Sequence, residues 1–335
     1  LKISASLYSN KNKSLEELIG ELDALKIDSF HIDCNDNPAV FDDIARIRHL
    51  SRTPIDLHII SPQPEKYLEQ IVNYRIEYVQ FQYEDMRERH FDLPVHDTNY
   101  GLAIVSDTPI EVFEPYRESF GFILMMTTTP GMSGGVFRKE NFNRIRRFSK
   151  MFPDKKIHVD GGVNDEVSFI LRSMGVDSAV SGSFLVNHTS MGAALMGLKM
   201  QDVQSHYLVR DMMIDKNDLP VLQADDCNFQ EVLQVIEDYD LGFALFTDQS
   251  GRFSGISSNA DVRRGLIRNI EDLNQARISD IINTQPISIQ DTATVSDMLS
   301  LVTSKSFPVL FLPVINQHHQ LVGAVTFNNL IRGEV

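Results

Sequence analysis

The sequence predicts a (β/α)8 TIM barrel followed by a smaller α+β module. Three observations carry this. Short apolar runs alternate with helical patterns from residue 2 to about 200. Eight of those runs can be counted, near residues 3, 30, 56, 79, 102, 123, 157 and 180. After residue 200 the rhythm changes and an internal repeat begins. Strand–helix alternation also fits a doubly wound open sheet, but the count of eight favours the barrel.

The elements follow in order. "ISASLY" reads as the first strand and "SLEELIGELDALK" as an amphipathic helix, opened by a capping box of Ser14 and Glu17. "SFHIDC" is the second strand, with a helix near 39 to 50 after it. "PIDLHII" is the third, followed by a helix opened by Pro64 and Glu65. "YVQFQ", "YGLAIV", "FGFILMM", "KIHVDGG" and "SAVSGS" complete the eight.

In the second half, "LVRDMMIDKNDLPVLQADDCNFQEVLQVI" aligns with "RISDIINTQPISIQDTATVSDMLSLV". "GRFSGISSNADVRRGL" aligns with "HQLVGAVTFNNLIRGE". Asp211 thus matches Asp280, Pro220 matches Pro286, Gly255 matches Gly323, Ser258 matches Thr326, and Asp261 matches Asn329. Two copies of one β–α–β–β–α unit bury a shared core better than one. The expected division is residues 1–203 for the barrel and 204–335 for the repeat module, whose halves span about 206–268 and 275–335.

Composition bounds the function. The chain has 335 residues, 42% of them hydrophobic and 23% charged, which is globular. A net charge of -15 leaves no basic surplus for phosphate backbones or anionic membranes, so neither nucleic acid nor membrane is an expected partner. Two cysteines, Cys34 and Cys227, are too few for a disulfide framework. No apolar run is long enough for a spanning helix, and "LKISASLYSN" lacks a signal-peptide core, so a cytoplasmic location is expected.

The ionisable residues sit at strand ends. In "FHIDC", His31 and Asp33 share one face between apolar neighbours, and two such groups on a buried strand need partners. His58 sits near the end of the third strand, and Asp160 ends the seventh before Gly161 and Gly162. The C-terminal ends of barrel strands are where catalytic groups gather. Two imidazoles and two carboxylates there would suit a divalent metal such as zinc. Asp56 and His158 share faces with these residues and receive no role. Glycine-rich turns after the last strands offer backbone N–H groups to a phosphate, and Gly161, Gly162, Gly182 and Ser183 fit that location.

These stretches together resemble the ribulose-phosphate 3-epimerase family over most of residues 2 to 190. "SASLYS", "FHIDCND", "IDLHII", "MMTTTPGMSGG", "IHVDGGV" and "VSGSFLV" appear in the family's order. The resemblance implies a divalent metal (zinc first, then iron, manganese or cobalt) held by His31, Asp33, His58 and Asp160. It implies that Asp33 and Asp160 are the acid/base pair. It places Ser6, His58, Met126, Gly131 and Gly134 against the substrate, with Gly161, Gly162, Gly182 and Ser183 on its phosphate. The reaction would be 3-epimerisation of a ketose phosphate, of the ribulose 5-phosphate and xylulose 5-phosphate type. The pattern departs where Asn35 stands at a family methionine, Asn37 at a glycine and Ile60 at a second methionine. A related substrate, such as a hexulose 6-phosphate, is the alternative this raises; a non-catalytic nucleotide-binding regulator is another.

The repeat resembles a pair of cystathionine-β-synthase (CBS) domains, through "VRDMM", the proline-containing strands, "GISSNADVRR" and "GAVTFNNLIR". That resemblance implies an adenine nucleotide (AMP, ADP or ATP) held by Ser258 with Asp261 and by Thr326 with Asn329, and a homo-oligomer. The plain alternative is that Ser258 and Asp261 only cap a helix.

Overall fold

Alternation of inward and outward side chains along parallel strands decides the first half of the molecule. A computed structural model of the chain describes residues 1–88, 92–94, 96–128, 134–200, 205–272 and 276–327. The chain divides into two compact units between Val203 and Gln204. Both cysteines are free.

In the first unit, β1 (Lys2–Ser6), α1 (Leu15–Ala24), β2 (Ser29–Asn35), α2 (Val40–Leu50), β3 (Ile55–Ile60), α3 (Leu68–Asn73), β4 (Tyr78–Gln82), β5 (Asn99–Ile104), β6 (Phe122–Met126), α4 (Glu140–Met151), β7 (Lys156–Asp160), α5 (Asp165–Ser173), β8 (Ser178–Ser181), α6 (Ser183–Val186) and α7 (Met191–Lys199) follow in order. The eight strands close into a parallel barrel, β1 pairing with β8. The open sheet is thereby excluded. All eight expected strands form.

Three helices, α1, α5 and α7, start on side-chain caps that the sequence supplies. Ser14 and Glu17 make the expected capping box on α1, and Asn164 caps α5 through the N–H of Val167 at 2.9 Å. Pro64 opens a 3-10 turn that runs into α3. Outward residues such as Phe30, Ile32, Leu57, Ile59, Val79, Phe81 and Val159 are wholly buried. Inward positions are unusually polar: Ser4, His31, Asp56, His58, Gln80 and His158 are buried as well. Register then fixes neighbours. His31 lies opposite Asp56, Asp33 opposite His58, and Met126 opposite Asp160.

The second unit runs α8 (Val209–Met212), β9 (Ile214–Asp215), β10 (Val221–Gln223), α9 (Phe229–Tyr239), β11 (Phe243–Thr247), β12 (Phe253–Ser258), α10 (Asn259–Arg268), β13 (Ile289–Gln290), α11 (Val295–Thr303), β14 (Phe311–Ile315) and β15 (Leu321–Thr326). Its sheets are ordered β10-β11-β12 and β13-β14-β15-β9. The repeat is visible residue by residue. Asp211 accepts from the N–H of Leu208, and Asp280 from that of Arg277. Asn228 with Glu231 and Thr294 with Asp297 form matching capping boxes on α9 and α11. Phe243 pairs with Ser258 as Phe311 pairs with Thr326. Leu219, Phe243, Leu245, Ile256, Leu321 and Ala324 form one buried cluster between the copies. A single copy would leave that apolar surface in water.

Candidate functional site

The C-terminal mouth of the barrel gathers most of the singled-out residues. On β2, His31 Nε2 lies 3.4 Å from Asp33 Oδ1 and 3.8 Å from Asp160 Oδ2. On β3, His58 Nδ1 lies 3.3 Å from the same Asp33 oxygen. His31, Asp33 and His58 offer ligand atoms within 4.8 Å of one another, and Asp160 meets them from β7.

Both imidazoles are buried, and His31 Nε2 and His58 Nδ1 have no hydrogen-bond partner among the described residues. A buried ring nitrogen left unpaired is costly unless something else takes its lone pair. The opposite nitrogens are occupied. His31 Nδ1 lies 2.9 Å from Asp56 Oδ2, and His58 Nε2 lies 2.7 Å from Gln82 Oε1. This is how metal-binding histidines are oriented, one nitrogen held by an outer partner and the other presented inward. Two nitrogens and two carboxylates fit zinc or a similar divalent cation.

Electrostatics separate the two carboxylates. Burial pushes Asp160 up to about 6, with His31 opposing and the Asp33 charge adding to the rise. Burial also penalises Asp33, but His31 and His58 outweigh it and hold that carboxyl far below the usual range. Burial lowers the proton affinity of His31; Asp56 and Asp33 reverse this and raise it well above the ordinary value.

Asp56 received no role from the sequence and is the main addition. It accepts from Ser4 Oγ at 2.9 Å and fixes His31. Its signal was present: in "DLH" it shares a face with His58. Thr127 is a second addition. Its hydroxyl donates to the carbonyls of Asp160 (3.0 Å) and Gly161 (2.6 Å), fixing the end of β7.

The glycine loops converge. Gly161 and Gly162 have φ of +115° and +67°, and a Cβ on Gly162 would stand 2.3 Å from the Phe137 nitrogen. Gly182 abuts Ser9, where a Cβ would fall 2.5 Å from Oγ, and Gly134 faces Ser183 Oγ. Ser6 Oγ is 3.0 Å from Ser9 Oγ, and half-buried Met126 ends β6. Gly131 lies outside the described residues, as does Asn329.

The family model described as the ribulose-phosphate 3 epimerase family matches residues 2–186. The chain belongs to this family. It is 25% identical over 211 residues to the ribulose-phosphate 3-epimerase of Schizosaccharomyces pombe, covering 59% of this chain and 92% of that one. The Bacillus subtilis ribulose-phosphate 3-epimerase is 22% identical over 216 residues, covering 59% and 98%. A CBS-domain model matches residues 278–334, the second copy of the repeat. The crystal structure of CBSX2 in complex with AMP is similar to 38% of the chain and covers 96% of its own, at 18% identity and a TM-score of 0.32.

In the CBS pair, Ser258 Oγ and Asp261 cap α10. The N–H of Ser258 donates to Asp261 Oδ2 at 2.9 Å, and the N–H of Asp261 donates to Ser258 Oγ at 3.3 Å. Arg264 pairs with the same carboxylate. The capping role is therefore real, and Thr326 stands at the matching end of β15.

Proposed function

We propose that the barrel is a metal-dependent 3-epimerase of a ketose phosphate, of the ribulose 5-phosphate and xylulose 5-phosphate type, and that the CBS pair regulates it through an adenine nucleotide. The carrying observation is the pair of unpaired buried nitrogens, His31 Nε2 and His58 Nδ1, converging on Asp33 Oδ1 with Asp160 beside them.

Inverting carbon 3 means removing a proton beside a carbonyl and returning one to the opposite face. Asp33 and Asp160 supply two proton carriers from β2 and β7. The ionised Asp33 takes the proton from one side, and the protonated Asp160 gives one from the other; the reverse reaction exchanges their roles. Their proton affinities are pushed apart: Asp33 stays ionised, while Asp160 takes up its proton as pH falls through about 6. A bound divalent cation, zinc first and iron, manganese or cobalt after it, would stabilise charge on the enediolate oxygens. His31, Asp33, His58 and Asp160 would hold it. Ser6 and Met126 line the substrate, and backbone N–H groups around Gly161, Gly162, Gly182 and Ser183 take its phosphate, which binds remotely from the chemistry. On the same reading, Ser258 with Asp261 contacts a nucleotide ribose, and the protein works as a cytoplasmic homo-oligomer.

A hexulose 6-phosphate is the second reading. It is favoured by Asn35, exposed at the end of β2 on the face of His31 and Asp33. Asp36 follows in a left-handed conformation, bound by Ser61, Tyr67 and Lys66. Metal analysis of untreated protein, with turnover of a panel of ketose phosphates on the same preparation, tests both. Stoichiometric metal with pentulose turnover is expected. A wide preference for a hexulose phosphate would replace the substrate, and absence of both metal and turnover would refute the enzyme.

A further inference from the structure

His58 can present a lone pair at Nδ1 only if its proton sits on Nε2. Asp33 works against this, because its Oδ1 lies 3.3 Å from Nδ1 and draws a proton there. Some group must hold the proton on the far side. Gln82 Oε1, 2.7 Å from Nε2, is placed to do so.

A glutamine cannot fix a tautomer alone, since its amide can offer either an oxygen or an NH2 group. Glu84 removes the choice. Its Oε2 accepts a hydrogen bond from Gln82 Nε2. An ionised carboxylate has no proton to give, so the amide nitrogen must face Glu84 and the amide oxygen must face His58. Glu84 is itself fixed from the segment after β5. Its Oε1 accepts from the N–H of Val105 at 3.1 Å and from the Thr108 hydroxyl. Gln82 is 3% exposed, so water does not offer it another arrangement. The sequence places both residues by alternation: Gln82 faces inward on β4, and Glu84 follows two positions later at the rim.

We propose that Glu84 is a positioning residue that sets the tautomer of His58 through Gln82, and thereby its readiness to bind a divalent cation. This rests on the metal-centre reading given above.

The decisive variant is Glu84→Gln, which keeps shape and packing. Val105 N–H and the Thr108 hydroxyl would hold the new amide oxygen. The new NH2 group would then donate to Gln82 Oε1, turning the NH2 group of Gln82 toward His58 Nε2. The proton would move to Nδ1, facing Asp33. The full-length protein labelled with 15N-histidine is studied metal-free by NMR at pH 8, then titrated with cobalt(II) and read by visible absorption. Wild-type protein is expected to show His58 protonated at Nε2. Glu84→Gln is expected to show it at Nδ1 and to bind cobalt about tenfold more weakly or worse, the scale of lost outer partners at metal sites. The swap of Gln82→Glu with Glu84→Gln again puts an oxygen on His58 and is expected to restore both readouts.

A merely structural tie between β4 and the segment after β5 would survive Glu84→Gln unchanged. Retention of the Nε2 proton and of wild-type cobalt affinity in that variant overturns the proposal. So does a swap that melts like wild type but still binds cobalt weakly. Wild-type protein that binds no cobalt overturns the metal centre and the relay together, whereas equal binding by wild type and Glu84→Gln overturns the relay alone.

Discussion

Asp56 shows how a side chain outside the reacting atoms can decide a site. It holds Nδ1 of His31 and leaves Nε2 aimed at Asp33 and Asp160. In Asp56→Asn the amide can offer NH2 to that nitrogen and block the needed tautomer. Competition with a chelator should show metal affinity lowered about 10–100-fold. On the proposed mechanism, Asp33→Asn and Asp160→Asn each remove a proton carrier at constant shape. Turnover should fall about 10²-fold or more in both, with thermal melts near wild type. His158 makes a separate prediction about pH. It is buried and stacked on Phe122 with centroids 4.2 Å apart. Burial pulls its proton affinity down to about 4, against the Asp56 charge and with help from Lys156 and Lys2. The unfolded chain takes up this proton near pH 6.5, the folded chain only near 4. Between those values the unfolded state binds more protons, so stability falls as pH drops, by up to about 1.4 kcal/mol per unit. Urea midpoints measured from pH 7 to 4.5 should show this slope in wild type and a shallower one in His158→Gln.

At the scale of elements, the turn after β7 places two successive glycines in left-handed backbone. Gly162 combines φ of +67° with a Cβ position 2.3 Å from the Phe137 nitrogen. Gly162→Ala must therefore move backbone, not a flexible side-chain tip. A loss of about 1–3 kcal/mol and weaker phosphate binding are expected, read from denaturant midpoints and from KM. The strands were legible because alternation and apolar runs state them locally. The convergence of His31, Asp33, His58 and Asp160 was legible because Asp33, His58 and Asp160 lie toward the C-terminal ends of their strands and His31 shares a face with Asp33. The partners of Asp56, Gln82 and Glu84 were not, because they are set by register: Asp56 shares a face with His58 in the sequence, but it meets His31 only once β2 and β3 pair. Asp211 and Asp280 aligned in the sequence as a repeat. Their shared reason, a carboxylate accepting the N–H three residues before it, needed the backbone.

At the scale of the whole molecule, a nucleotide at the CBS pair can alter the barrel only if it binds two states of the protein unequally. AMP or ATP should raise the thermal midpoint of wild-type protein and change turnover. Ser258→Ala should lose the nucleotide effect beyond the roughly 1 kcal/mol expected from the lost helix cap alone. Calorimetry with each nucleotide separates the two. The central claim is that two carboxylates and a metal exchange the proton on carbon 3. Metal-loaded protein with ribulose 5-phosphate in D2O, followed by NMR, tests it most directly. Deuterium should enter carbon 3 as xylulose 5-phosphate appears, and both should vanish in Asp33→Asn and Asp160→Asn. A fully metal-loaded protein that leaves carbon 3 unexchanged in every ketose phosphate would contradict it.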